Sequence, residues 1–175
     1  MGTDPTPRKD PTLARTIATT TAVDRDALLD FIRPRHNMVL ITSRSDGSPQ
    51  SSPVTGGADA DGRIVISSYP ERAKTTNVRR TGGASVLVLS DKFGDAWVQI
   101  DGDAEVLDLP EGLEALVDYF RAISGEHPDW DEYRAAMINQ GKCLIRITPT
   151  RILSFGLDGT RALNARTVGS AADQP

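Results

Sequence analysis

Cysteine occurs once, at Cys143, and histidine twice, at His36 and His127, in a chain of 175 residues. A single thiol makes no internal disulfide, and no CxxC, HExxH or comparable ligand spacing is present, so neither a structural nor a catalytic zinc is expected. Long apolar runs are missing too. Met38–Ile41 and Val86–Leu89 are strand-sized and far short of the roughly 20 residues that cross a bilayer. Met1–Val23 lacks the continuous apolar stretch of a secretory signal, and we expect a cytoplasmic protein with no membrane partner. Positive charge is in deficit: 20 Lys+Arg against 24 Asp+Glu leave a net charge of −4, which argues against a nucleic-acid binder. GxGxxG, GxxxxGK[ST] and GxSxG are all absent, so a dinucleotide fold, a P-loop and a nucleophile elbow have no support.

What is present reads as one domain. Residues 1–22 mix Thr, Pro and charge without a sustained period and are expected to form a disordered leader. Residues 158–175 are expected to be a flexible tail, leaving 23–157 as the folded unit. Ala27, Leu28, Phe31 and Ile32 recur at helical spacing before Pro34 stops them. From Met38 the texture becomes short apolar runs cut by turns, which predicts strands at Met38–Ser43, Gln50–Gly57, Arg63–Ser68, Ala84–Ser90 and Ala96–Leu107. Asp101-Gly102 interrupts the last of these, as a bulge or sharp bend would. Two helices follow, from Pro110-Glu111 through Ile123 and from Pro128-Asp129 to Gly141. Cys143–Ile147 and Arg151–Phe155 give a final strand or bent pair. Strands without βαβ alternation predict an antiparallel β-barrel with α additions.

The segment with chemical content is Ser67–Arg80. A strand ends in Ser67-Ser68, Pro70 pre-sets a helical turn, and Arg72, Lys74, Arg79 and Arg80 follow closely. A helix start offers free N–H groups and partial positive charge, Arg adds a planar fork and Lys a point charge, so this is a candidate phosphate site. The competing reading is a solvated amphipathic helix whose cations face water.

Glu71-Arg72-Ala73-Lys74-Thr75-Thr76-Asn77-Val78-Arg79-Arg80, with Asp46-Gly47-Ser48-Pro49-Gln50 before it and Ala84-Ser85-Val86-Leu87-Val88 after it, resembles the pyridoxamine 5′-phosphate oxidase-like split-barrel superfamily. More narrowly it resembles the actinobacterial branch that uses the deazaflavin coenzyme F-420. Residues Tyr119–Arg134 are similar to the helical insert of that branch, and the likeness spans roughly Pro34 to Gly156. The resemblance implies a six-stranded Greek-key split barrel, a homodimer, and cofactor sites in the clefts between subunits. It implies that Arg72 and Lys74 hold the cofactor phosphate, with Ser67 and Asn77 near the same anion and Gln50 and Ser52 alongside the ring system. The segment around Gly94–Trp97 is implied to reach the site from the other subunit.

Other residues carry two readings each. Trp97 either stacks on the cofactor ring or packs in the barrel or an interface. His36 is a proton donor or a structural junction residue. Cys143, at the start of an apolar strand, reads as a buried inert thiol, and Trp130 and Tyr133 read as helix packing. The implied activity is hydride transfer from reduced F-420 to a small unsaturated or quinone-like acceptor, with water, Ser52 or Tyr69 as proton source. Two alternatives stand beside it: an FMN-dependent pyridoxamine or pyridoxine 5′-phosphate oxidase, and a non-catalytic flavin or deazaflavin binder.

Overall fold

The structure, a computed structural model, describes residues 25–157. The leader and tail expected at 1–22 and 158–175 lie outside the described residues. Helix α1 (Arg25–Ile32) leads into strands β1 (Asn37–Ser43), β2 (Pro49–Ala58) and β3 (Ile64–Ser68), then helix α2 (Ala73–Thr81). Strands β4 (Gly83–Leu89) and β5 (Trp97–Leu107), helices α3 (Leu113–Ser124) and α4 (Trp130–Asn139), and strand β6 (Cys143–Phe155) complete the fold. All strand pairs are antiparallel and close in the order β1-β2-β3-β6-β5-β4. This is the six-stranded barrel that the resemblance implied.

Alternation puts one side of each strand into the barrel. Met38 and Leu40 of β1, Ile64 and Ile66 of β3, Val86 and Val88 of β4, Val98 and Ile100 of β5, and Ile145 and Ile147 of β6 form the inner core. Branched side chains suit these half-buried pleated positions, and each fully buried one contributes about 1.5–3 kcal/mol. Phe31 and Ile32 of α1 enter the core beside the start of β1, and Val78 of α2 enters at the other end. A second core lies outside the barrel, where Val65 and Leu144 meet Leu116, Val117 and Tyr119 of α3 and Tyr133 of α4. The apolar face of the helix expected from Pro110-Glu111 through Ile123 is therefore used against β3 and β6.

The last strand is one element rather than two. Pairing with β5 shifts between Asp101 and Gly102, because Gly102 faces Pro149 while Asp101 faces Arg151, which leaves Thr150 as the extra residue. Thr150 Oγ1 donates to Asp101 O at 3.2 Å and closes the bulge. Pro149, which lacks an N–H, is tolerated because it sits at the ladder's irregularity.

Closure between β2 and β3 is partial. They pair only through Gly56–Ala58 and Ile64–Ile66, so residues 49–55 of β2 have a neighbour on the β1 side alone. Gly56 N–H donates to His36 O. By the alternation of antiparallel bonding, Ser51, Pro53 and Thr55 thus turn their backbone groups away from β1, toward the opening. Pro53 has no hydrogen to offer a strand there, which is where proline is accepted in a sheet. The barrel is split at this edge. Among the described residues no helix is long and apolar enough to cross a membrane.

Candidate functional site

The opening is framed by the end of β3 and the start of α2. Thr75, fully buried, donates from Oγ1 to Tyr69 O at 2.9 Å and shares a 2.9 Å bond with Ser68 Oγ. These bonds lock the turn from strand to helix. Arg72, the N-cap residue, is extended and makes no side-chain cap, and the N–H groups of Ala73 and Lys74 meet no acceptor among the described residues. The helix therefore begins with free donors and partial positive charge.

Beside this turn lies a cavity of about 460 Å³ lined by Pro53, Val54 and Thr55 of the free edge, Ser67, Lys74, Tyr119 and Phe120 of α3, Tyr133, Met137 and Gln140 of the α4 region, and Lys142. No carboxylate lines it. Tyr119 donates from its hydroxyl to Thr55 O at 3.2 Å, and Tyr133 to Leu116 O at 3.0 Å. Burial pushes the Tyr119 phenol up, and pushes Tyr133 up to about 12, with the Tyr119 charge as a lesser cause. Both remain neutral, so the two lysines set the charge of the cavity.

A second cavity, of about 730 Å³, is lined by residues 34–39, by Leu87, Leu89, Ser90 and Asp91, and again by Pro53, Val54 and Thr55. The free edge of β2 thus borders both cavities, the first with Lys74 and Lys142 in its lining and the second with Val39, Leu87 and Leu89 beside Arg35 and Asp91. His36 lines the second cavity, with Nδ1 at 3.1 Å from Gly56 O. A carbonyl only accepts, so Nδ1 carries the proton.

The sequence-predicted residues divide. Ser67 and Lys74 line the first cavity, and Arg72 is exposed beside it, its guanidinium 5.8 Å from the centroid of the Tyr69 ring. Asn77, expected near the anion, is engaged within the protein. It is 8% exposed and donates from Nδ2 to Gln50 Oε1 at 2.9 Å and Thr42 Oγ1 at 3.1 Å. It ties α2 to β1 and β2 and fixes Gln50, whose oxygen is thereby used. Gln50 and Ser52, expected alongside the ring, line neither cavity, whereas Pro53–Thr55 of the same strand line both. Trp97 stands at the far end of β5. Phe155, its partner on β6, is 11 residues from Leu144, which faces Ser67, or about 35 Å of strand. Trp97 lines neither cavity, but it pairs directly with Leu89 of β4, which lines the second. Its neighbours Val98 and Ala96 are buried while it is half-buried, so it faces outward rather than into the barrel.

Sequence reasoning passed over Tyr119, Phe120, Met137 and Lys142, and left Tyr133 as packing. Their helical period is legible, but which strand edge they cover depends on where β6 pairs. Cys143 is fully buried, and burial pushes its thiol up, as an inert thiol requires.

Residues 25–156 match the model of the pyridoxamine 5′-phosphate oxidase family. Among solved structures, the chain is similar to the conserved hypothetical protein Rv2991 from Mycobacterium tuberculosis, with TM-score 0.67 and 22% identity over 80% of this chain and 89% of that one. It is also similar to an F-420 reductase, with TM-score 0.54 and 18% identity over 71% of this chain and 94% of that one. A heme-binding protein from Mycobacterium smegmatis shares the fold as well, with TM-score 0.57 and 19% identity over 78% of this chain and 56% of that one. Such identities establish the architecture and leave the cofactor to the site. With the barrel, its split edge and the family match in agreement, the chain belongs to the pyridoxamine 5′-phosphate oxidase family.

Proposed function

We propose that the chain is an oxidoreductase that binds a phosphate-bearing deazaflavin, coenzyme F-420, along the split edge and passes hydride to a small unsaturated or quinone-like acceptor. The observation that carries this reading is the free edge of β2, which borders both cavities. Lys74 and Ser67 line the first, with no carboxylate among the described residues, and Val39, Leu87 and Leu89 give the second an apolar side. A cofactor with an anion at one end and a planar ring at the other has that polarity. The Glu71–Arg80 and Tyr119–Arg134 strings and the likeness to an F-420 reductase favour the deazaflavin over FMN.

When bound, such a cofactor supplies the hydride chemistry. The chain's part is to hold it. Lys74, Arg72, Ser67 and the free N–H groups of α2 fit a phosphate, and Val39, Leu87 and Leu89 exclude water from the ring end. His36 keeps its proton on Nδ1, held by Gly56 O. The phenols of Tyr119 and Tyr133 are committed to carbonyls, so neither is the proton source. The purified full chain, titrated with F-420 and FMN while following cofactor fluorescence, is expected to bind F-420 more tightly. Preference for FMN would replace this reading with the flavin alternative, tested next by oxygen-dependent pyridoxamine phosphate oxidation. Tight F-420 binding without turnover on any acceptor would leave a cofactor carrier.

The same proposal includes a homodimer. Val39, Leu87, Leu89, Trp97, Leu153 and Phe155 point away from the barrel core along β1, β4, β5 and the end of β6. Helix α3 packs instead on β2, β3 and β6, so this apolar outer face is suited to a second copy. The protein is expected to sediment as a dimer, and Leu153→Asp to shift it toward monomer with loss of cofactor affinity. A wild-type monomer that binds F-420 tightly would remove the shared cleft.

A further inference from the structure

Most described arginines near a carboxylate are paired: Arg63 with Asp59, Arg79 with Asp108, Arg121 with Glu126, Arg134 with Glu114 and Arg146 with Glu105. Around the first cavity the pattern reverses. Arg72, Lys74 and Lys142 form no ion pair among the described residues, and they come from two separate stretches: the start of α2 and the approach to β6. Glu71 and Asp108 lie near enough to act on Cys143, but neither lines the cavity, so an anion that enters it meets Lys74 and Lys142 without a carboxylate in the lining.

Lys142 is the member that no motif announces, and its backbone is the most firmly held. Gly141, at φ +59°, ends α4 in a left-handed turn. Gly141 N–H donates to Ile138 O at 3.0 Å and Lys142 N–H to Met137 O at 3.1 Å, the paired closure of a Schellman motif. The next residue, Cys143, is fully buried and pairs with Ser68. The side chain is held as well: Nζ lies 3.7 Å from the centroid of the Tyr69 ring, whose other neighbour is the Arg72 guanidinium. Tyr69 thus positions two cations, and its backbone carbonyl anchors Thr75 in the first turn of α2.

We propose that Lys142 is a third cation of the anion site, and that the site is matched to a ligand with a second negative charge next to the first. That charge is either the second ionisation of a phosphomonoester or a carboxylate carried beyond a phosphodiester. The proposal rests on the cofactor reading and goes beyond it, since Arg72 and Lys74 suffice for one charge. A preorganised ammonium on a second anionic group makes a charge-assisted contact, and its loss corresponds to about tenfold in affinity.

The test titrates the full chain with FMN, F-420 and riboflavin, comparing wild type, Lys142→Gln, Lys142→Arg and Lys74→Gln. Lys142→Gln is expected to weaken the phosphate-bearing cofactors about tenfold and riboflavin less than about twofold, while Lys142→Arg stays near wild type. Loss confined to FMN assigns the second charge to a monoester; loss with F-420 assigns it to a carboxylate past the diester. Unchanged affinities in Lys142→Gln, with Lys74→Gln weakened, overturn the proposal and leave the cofactor reading standing. If wild type binds neither cofactor, that reading fails, and inorganic pyrophosphate decides for Lys142. A melting temperature raised by pyrophosphate in wild type but not in Lys142→Gln upholds the third cation, and no rise in wild type overturns it.

Discussion

Replacing Arg72 and Lys74 together by alanine is expected to weaken cofactor binding by roughly 100-fold or more while leaving the fold intact, since two charge-assisted contacts are lost at about 1.5–3 kcal/mol each before solvent screening. Stability is expected to hold because neither side chain has a hydrogen bond or ion pair among the described residues, and the turn they stand on is secured by Thr75, Ser68 and the Tyr69 carbonyl. Alanine also favours helix at position 74, in the first turn of α2. Fluorescence titration gives the affinity and thermal melting the stability. Salt separates charge from shape: at 1 M the Debye length falls to about 3 Å, so the wild-type advantage should shrink toward the double variant. Equal affinities at low salt would remove the phosphate from this end of the groove.

How much of this was legible follows from the range of the interactions involved. The strands and helices were readable because their signals are local: the alternation at Met38–Ser43, the stop at Pro34, the Asp129 cap that accepts from the N–H groups of Asp131 and Glu132 at 3.0 Å. Arg72, Lys74 and Ser67 were readable because they lie within eight residues of one another across a single strand-to-helix turn. Asn77 looked like one more member of that group. Its partners in the structure are Gln50 and Thr42, which are distant in sequence and reach it only because β1 and β2 pass under α2. Lys142 was hidden for the same reason: it joins Lys74 only because β6 pairs with β3, placing Cys143 opposite Ser68. Pro53 was a missed local signal, since a proline inside a strand already marks an edge with nothing to donate to.

The largest expected loss of stability comes from a glycine that contacts no ligand. A Cβ added at Gly102 would lie 2.8 Å from Ile147 Cγ2, 2.9 Å from the Thr148 carbonyl carbon and closer still to its oxygen. Two of these atoms are backbone, so no rotamer relieves the clash, and β5 and β6 must part where the bulge joins them. Overpacking that side chains can absorb costs about 1–3 kcal/mol. Here the ladder must give, and Gly102→Ala is expected to exceed that range, a large share of the roughly 5–15 kcal/mol that holds a domain together. Gly102→Val should not fold. Gly47 provides the control, with φ +82° and open space around its missing Cβ, so Gly47→Ala carries only conformational strain, about 1–2 kcal/mol. Urea midpoints at constant slope measure both. A Gly102→Ala midpoint no lower than that of Gly47→Ala would mean that the strands do not approach as closely as the bulge requires. The consequence reaches the site, because beyond Thr148 the same β6 backbone runs back through Ile145 and Leu144, beside Val106 and Leu107, to Cys143 and Lys142. Any Gly102 variant that survives with β6 displaced should therefore lose cofactor affinity along with stability, whereas Gly47→Ala, at a hairpin tip away from the cavity, should lose stability alone.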